Sequence, residues 1–230
     1  RLAMCFAWEI WADSDASLRE RFPHLDSERC RVISFISRRF DALPAHEACP
    51  DFIFWGRITA LKGLDHALRI FAEVIKQYPH ARFWIIGPDE GLLQTIQQLS
   101  KSMGLMDNVF FLGPATSSEL EVNAYKATFY LQTSLCEGMG MSVVEAMQMG
   151  LIPVVTPVGE IPAYCTHDFN ALIVKSDQRV VENVREILSC DKKYQNIRQN
   201  AIATWKDAPL YVDSVLQACE ELFPYHDTAE

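Results

Sequence analysis

Glu137 and Glu145 stand either side of seven residues, and Gly138-Met139-Gly140 follows the first of them. Upstream, Phe129-Tyr130-Leu131 reads as a short buried strand. Downstream, Met141 to Met149 reads as a helix of good helix formers, ended by Gly150. The order is strand, glycine-rich turn, helix. Glycines let backbone approach a ligand closely, and a helix start offers unpaired N–H groups and a positive dipole end, a place for a phosphate. Glu137 falls in the loop and Glu145 on the helix, roughly 7 Å further along at about 1.5 Å per residue. Carboxylates repel phosphate but accept hydrogen bonds well from hydroxyls. A ligand rich in hydroxyls at both ends and anionic in the middle fits, and a nucleotide sugar has that form. On spacing alone a second reading stays open, with Glu145 a solvated helix residue and Glu137 a helix-start charge.

The elements around this stretch alternate regularly from Asp51. Strands are expected at Phe52–Trp55, Phe83–Ile86, Val109–Leu112, Phe129–Leu131, Pro153–Val155 and Ala171–Val174. Helices are expected at Leu64–Tyr78, Gly91–Met103, Leu120–Tyr125, Val180–Leu188, Tyr194–Trp205 and Tyr211–Phe223. Continuous apolar strands alternating with helices imply an α/β fold, a Rossmann-like parallel sheet with helices on both faces and ligands at the carboxyl ends of the strands. Before Asp51 the pattern is incomplete. Cys5–Trp11 and Arg31–Phe35 read as strands, Asp13–Phe22 as a helix followed by Pro23, and Ala42–Pro50 as a linker.

The net charge of −9 over 230 residues argues against a nucleic-acid partner, which needs a basic face, though not against a local basic pocket. The seven cysteines, at 5, 30, 49, 136, 165, 190 and 219, show no Cys-x-x-Cys pair and suggest reduced thiols in a cytoplasmic chain. The six histidines show no metal-ligand spacing. His66 and His167 have no visible partner and read as surface or core residues. No apolar run approaches the roughly 20 residues that cross a bilayer. The chain begins at Arg1, which suits a fragment or a processed chain.

The stretch from Glu137 to Met147, with Ser134 before it, resembles the signature of retaining glycosyltransferases of the B-type fold, in the large glycosyl transferases group 1 family. The resemblance runs in order through Gly56-Arg57, Lys62-Gly63, Gly87, Gly113 and Pro153 to Pro162. It implies the C-terminal half of a two-domain enzyme. Residues 1–49 would be the end of the acceptor-binding domain and a linker, 50–207 the nucleotide-sugar domain, and 208–230 a helix returning toward the N-terminal domain.

The resemblance also implies roles. Glu137 would hold donor-sugar hydroxyls and Glu145 the ribose. Backbone N–H groups of Met139, Gly140 and Met141 would meet sugar and phosphate beside Gly138, and Ser142 could add a hydroxyl. Gly87 would leave room for the base, and Gly113-Pro114 would border it. Arg57, just past a strand end, and Lys62, five residues on at the start of the next helix, would neutralise the departing diphosphate. Fixed cations there favour the transition state over the ground state, and such a pair would replace a metal ion. No cofactor or metal is expected. The substrate would be a UDP- or GDP-sugar, the acceptor a glycan, lipid or small molecule. Peripheral membrane contact through the absent domain, at the inner face of the membrane, goes with this expectation. Asp13-Ser14-Asp15 has the spacing of a metal motif in the other glycosyltransferase fold, but its place before a helix points to capping.

Departures are present. Met139 stands where the family often has an aromatic residue. Val158-Gly159-Glu160-Ile161-Pro162 carries Glu160 for a second glycine and Ala163 for a later glutamate, and Asn170-Ala171 replaces Asn-Gly. They leave the donor sugar open. Two other readings remain: a donor-binding module inactive without its acceptor domain, and a nucleotide-sugar epimerase or phosphorylase on the same architecture.

Overall fold

The structure, a computed structural model, describes residues 7–21, 24 and 26–223. Cys5, Phe6, Phe22 and Pro23, which belong to sequence expectations, lie outside the described residues. By contacts the chain divides into two units, residues 1–39 with 207–230 and residues 40–206.

In the first unit, β1 (Ile10–Ala12) and β2 (Cys30–Val32) pair in parallel, with α1 (Asp15–Arg21) between them. The Ser14 hydroxyl accepts from the Ser17 N–H at 3.1 Å, so the Asp13-Ser14-Asp15 triplet caps this helix. Arg31 joins Glu9 to Glu221 of the C-terminal helix Tyr211–Leu222.

The second unit holds β3 (Phe52–Trp55), α2 (Leu64–Gln77), β4 (Phe83–Ile86), α3 (Leu93–Ser102), β5 (Val109–Gly113), α4 (Ser117–Ala124), β6 (Phe129–Gln132), α5 (Met141–Met149), β7 (Ile152–Val155), α6 (Ile161–Tyr164), β8 (Leu172–Ile173), α7 (Asp177–Leu188) and α8 (Asp191–Trp205). The C-terminal helix of the first unit follows as α9. The six strands form one sheet in the order β5-β4-β3-β6-β7-β8, every pair parallel.

Every residue of β3, β4, β6 and β7 is buried, because helices cover both faces. Alternation along each strand sends Phe52, Phe54, Phe83, Ile85, Phe129 and Val154 to one face. There α2 covers them with Leu64, Leu68, Phe71 and Val74, joined by α3 and α7. Ile53, Trp55, Trp84, Tyr130 and Val155 go to the other face, under α4, α5 and α8. Each fully buried Phe contributes on the order of 2–3 kcal/mol. Phe52 stacks on Phe129 with centroids 5.0 Å apart, directly across the β3–β6 pair.

That pair matters most for a ligand. The chain adds β4 and β5 on one side of β3, then crosses back and lays β6 on the other. The strand order reverses between β3 and β6, and their carboxyl ends leave a crevice.

Several boundaries differ from the sequence expectation. α4, α7 and α8 begin three residues before the first apolar residue, at Ser117, Asp177 and Asp191. Thr116 and Ser176 accept hydrogen bonds from Glu119 and Arg179 N–H groups, and these caps set the first two starts. β6 runs one residue further, to Gln132. α6 arises where only a loop is expected, and Lys62 ends a 3-10 turn (Ala60–Lys62) rather than starting α2. Among the described residues no helix is long and apolar enough to cross a membrane.

Candidate active site

β6 ends at Gln132 and the chain enters the loop that carries Ser134 and Glu137. Three contacts fix its path. Thr133 Oγ1 donates to the Gly63 carbonyl at 2.7 Å, Leu135 N–H to the Leu61 carbonyl at 2.8 Å, and Thr156 Oγ1 to the Ser134 carbonyl at 2.6 Å. Gly63 sits in the left-handed region at φ 62°, and a Cβ there would fall 2.0 Å from the Thr133 carbonyl oxygen. Only glycine allows this approach, which seats Lys62 over the loop.

Lys62 Nζ then donates to Glu137 Oε1 at 2.6 Å, with side chains only 16% and 9% exposed. The same oxygen accepts from Ser134 Oγ at 2.6 Å and Gln132 Nε2 at 2.9 Å. Among the described residues no donor reaches Oε2, which is left for a ligand.

Beside this carboxylate, α5 begins. Gly140 caps it at φ 72° without a side-chain bond, and its first turn carries no acidic residue. Among the described residues, the N–H groups of Met139, Gly140 and Met141 have no acceptor. Tyr164 Oη donates to the Met139 carbonyl at 2.6 Å. Because the peptide is planar and trans, that bond turns the Gly140 N–H to the opposite side. The Glu160 N–H donates to the Gly138 carbonyl at 3.0 Å, and a Cβ on Gly159 would lie 2.1 Å from the Glu137 carbonyl oxygen. The glycine loop is therefore held from behind by the stretch 158–164. Unpaired N–H groups at a helix start make an anion site.

Glu145 lies on α5, half-buried, and accepts from Trp55 Nε1 at 2.7 Å. Trp55 meets Tyr130 edge-on, with centroids 4.4 Å apart. Burial pushes the Tyr130 and Tyr164 hydroxyls above the ordinary tyrosine range, so both remain donors at neutral pH.

Apart from Glu145, the expected residues therefore fall into three groups. Lys62, Ser134, Glu137 and Ser142 share one hydrogen-bonded network, with Gly138, Met139, Gly140 and Met141 around it. Ser134 and Ser142 spend their hydroxyls on Glu137 and Gln132, at 2.6 and 2.8 Å. Gly56, Gly87 and Gly113 lie at adjacent strand ends. The Gly56 N–H donates to the Ile86 carbonyl and the Gly87 N–H to the Gly113 carbonyl. A Cβ on Gly87 would collide with the Gly56 carbonyl oxygen at 1.9 Å, and Pro114 follows on the exposed rim. Arg57 does not join Lys62. It is exposed and pairs with Glu90 at 3.2 Å.

Sequence reasoning missed Trp55, Tyr130, Gln132, Thr133 and Tyr164. Gln132 carried a signal, being the polar end of an apolar strand. The partners of the two histidines were also invisible: His66 Nε2 meets Asp177 at 2.8 Å across α2 and α7, and His167 Nδ1 accepts from the Ile173 N–H. Two surface recesses lie away from the crevice. One, lined by Pro50, Asp51, Tyr78 and Arg82, opens at the amino ends of the strands. The other is apolar, between Leu43, Pro44, Val122 and Tyr125. Among the described residues no three His, Cys, Asp or Glu side chains gather as a metal site.

Comparison with known proteins agrees with this geometry. In fold the chain is similar to Anabaena HepE, solved in complex with UDP and glucose, with a TM-score of 0.81 at 20% identity, covering 96% of this chain and 64% of that one. In sequence it is similar to a phosphatidylinositol N-acetylglucosaminyltransferase component from Arabidopsis thaliana, 24% identical over 155 residues, 66% of this chain and 34% of that protein. It is also similar to the GDP-mannose:cellobiosyl-diphosphopolyprenol alpha-mannosyltransferase of Xanthomonas oryzae, 27% identical over 127 residues, 55% of this chain and 33% of that protein. The chain spans about a third of the length of these curated relatives. The family described as glycosyl transferases group 1 matches residues 37–204. The chain belongs to that family, and its sheet is the Rossmann-like half of a B-type glycosyltransferase fold.

Proposed function

We propose that this chain carries the donor site of a retaining glycosyltransferase that takes a sugar from a nucleoside diphosphate without a metal ion. The observation that carries the reading is Lys62 and Glu137 paired at the β3–β6 crevice, beside the N–H groups of Met139, Gly140 and Met141, which have no acceptor among the described residues. The diphosphate takes those N–H groups and Lys62 Nζ. Glu137 Oε2 accepts from the sugar hydroxyls, and Glu145 from the ribose. Arg57 leaves the exposed Glu90 to meet the outer phosphate. As the glycosidic bond breaks, charge grows on the leaving phosphate, where these donors stabilise it most. That phosphate deprotonates the acceptor hydroxyl, which attacks from the same face of the sugar and preserves its configuration. The donors facing the diphosphate belong to the protein, which supports transfer without metal. A nucleotide-sugar donor goes with action in the cytoplasm, at the inner face of a membrane when the acceptor is a lipid.

HepE was solved with UDP and glucose, and the Xanthomonas relative is named for GDP-mannose, so both bases enter the test. Calorimetric titration with UDP and with GDP, first in EDTA and then in magnesium, should show binding of one nucleotide without metal. Lys62→Ala, Arg57→Ala and Glu145→Ala should each weaken it about ten-fold, the loss of one charge-assisted hydrogen bond. Binding of neither nucleotide, or binding only with magnesium, would contradict the reading. A second reading rests on the share of its relatives the chain spans: a donor module that binds but transfers nothing by itself. Nucleotide affinity without sugar release from a UDP- or GDP-sugar would favour it.

A further inference from the structure

Gln132 closes β6 and is wholly buried, where the other buried strands end in Trp55, Ile86 and Val155. A buried carboxamide is costly unless each of its groups is bonded. Here each is. Its oxygen accepts from Tyr130 Oη at 2.6 Å and Ser142 Oγ at 2.8 Å, and its nitrogen donates to Glu137 Oε1 at 2.9 Å.

The orientation of the amide follows from its neighbours. Flipped, its oxygen would face the Glu137 carboxylate oxygen at 2.9 Å, acceptor against acceptor. Two hydroxyls on one side and a carboxylate on the other allow one arrangement. Tyr130 is in turn fixed, because its hydroxyl also lies 3.1 Å from the Trp55 carbonyl oxygen and its ring is fully buried.

The consequence concerns Glu137. In the proposed function Lys62 turns to the diphosphate when a donor binds. Ser134 and Gln132 are then the partners left on Oε1, and of the two only Gln132 is locked by bonds on its far side. We infer that Gln132 is a positioning residue for the donor sugar. It keeps Oε1 of Glu137 engaged, so that Oε2 faces the sugar hydroxyls after Lys62 has moved. The inference rests on that reading of the crevice and adds a residue to it.

Gln132→Met keeps the chain length and removes the amide. Tyr130 retains the Trp55 carbonyl and Ser142 lies partly in solvent, so the fold should tolerate the change. Affinities are measured for the nucleoside diphosphate that binds the wild-type chain and for its sugar conjugate, UDP-glucose or GDP-mannose. Gln132→Met should bind the free nucleotide within about two-fold of wild type and the conjugate about ten-fold more weakly. Glu137→Gln should lower the affinity for the conjugate relative to the free nucleotide by at least as much. The double variant should lose no more than Glu137→Gln alone, because one residue acts through the other. Equal weakening of both ligands, additive losses, or an unchanged conjugate affinity would overturn the inference. If the wild type binds neither ligand, the proposed function fails first and takes this inference with it.

Discussion

Lys62 and Glu137 lie 2.6 Å apart with little solvent on either side chain. Removing one partner of such a pair leaves a stranded charge, so each holds the other in place. The exposed Arg57–Glu90 pair is of another kind, worth under about 1 kcal/mol, and it releases Arg57 at little cost. Both cations were legible as Gly-Arg and Lys-Gly pairs. Their partners were not, because Glu137 lies 75 positions from Lys62 and no local spacing reports such a contact. Trp55 was passed over because within an apolar strand it reads as core, and Gln132 because the strand was ended one residue early, at Leu131; only the fold shows which glutamate each one serves. The Cys165 thiol was legible only as one free cysteine of several. Burial pushes its pKa up to about 12. A group whose native pKa exceeds the unfolded value, about 8.5 here, stabilises fully below that value and loses the contribution as pH rises toward the native one. Between pH 8.5 and 10.5 the loss is about 2–3 kcal/mol. Thermal melts across that range should fall more steeply for the wild type than for Cys165→Ala. Equal slopes would show that the thiol ionises in the folded chain.

The elements explain how a glycine loop becomes a rigid cradle. The loop before α5 is clamped by the stretch around α6, through the Glu160 N–H, Tyr164 Oη and the close approach at Gly159. Gly159→Ala would set a methyl 2.1 Å from the Glu137 carbonyl oxygen and force the loop away. The expected cost is about 1–3 kcal/mol of stability, with nucleotide affinity down ten-fold or more. Gly104→Ala is the control. It carries a similar backbone penalty at φ 71°, yet its added Cβ meets nothing within 4 Å. It should melt lower and bind normally, and equal binding losses in the two variants would remove the clamp from the account. Met141–Met149 was readable to the residue, because good helix formers end at a glycine in the left-handed region. α6 was not, since four residues are too few to show a period. The starts of α4 and α7 were misplaced because polar caps, not apolar residues, begin helices there.

At the scale of the whole molecule, the apolar runs of β3, β4, β6 and β7 announced a parallel sheet covered on both faces, and that sheet is present. The order of the strands was beyond the sequence, because the crossing from β5 to β6 depends on which edge of β3 remains free. That crossing creates the crevice, and the residues of the proposed donor site reach it from the turn Ala60–Lys62, the loop after β6 and the first turns of α5. Diffraction from crystals of the chain grown with the nucleoside diphosphate that binds it tests this most directly. The account predicts diphosphate density at about 3 Å from the N–H groups of Met139 to Met141, with Lys62 turned toward it and the ribose against Glu145. A nucleotide bound elsewhere, with Lys62 still on Glu137, would contradict it.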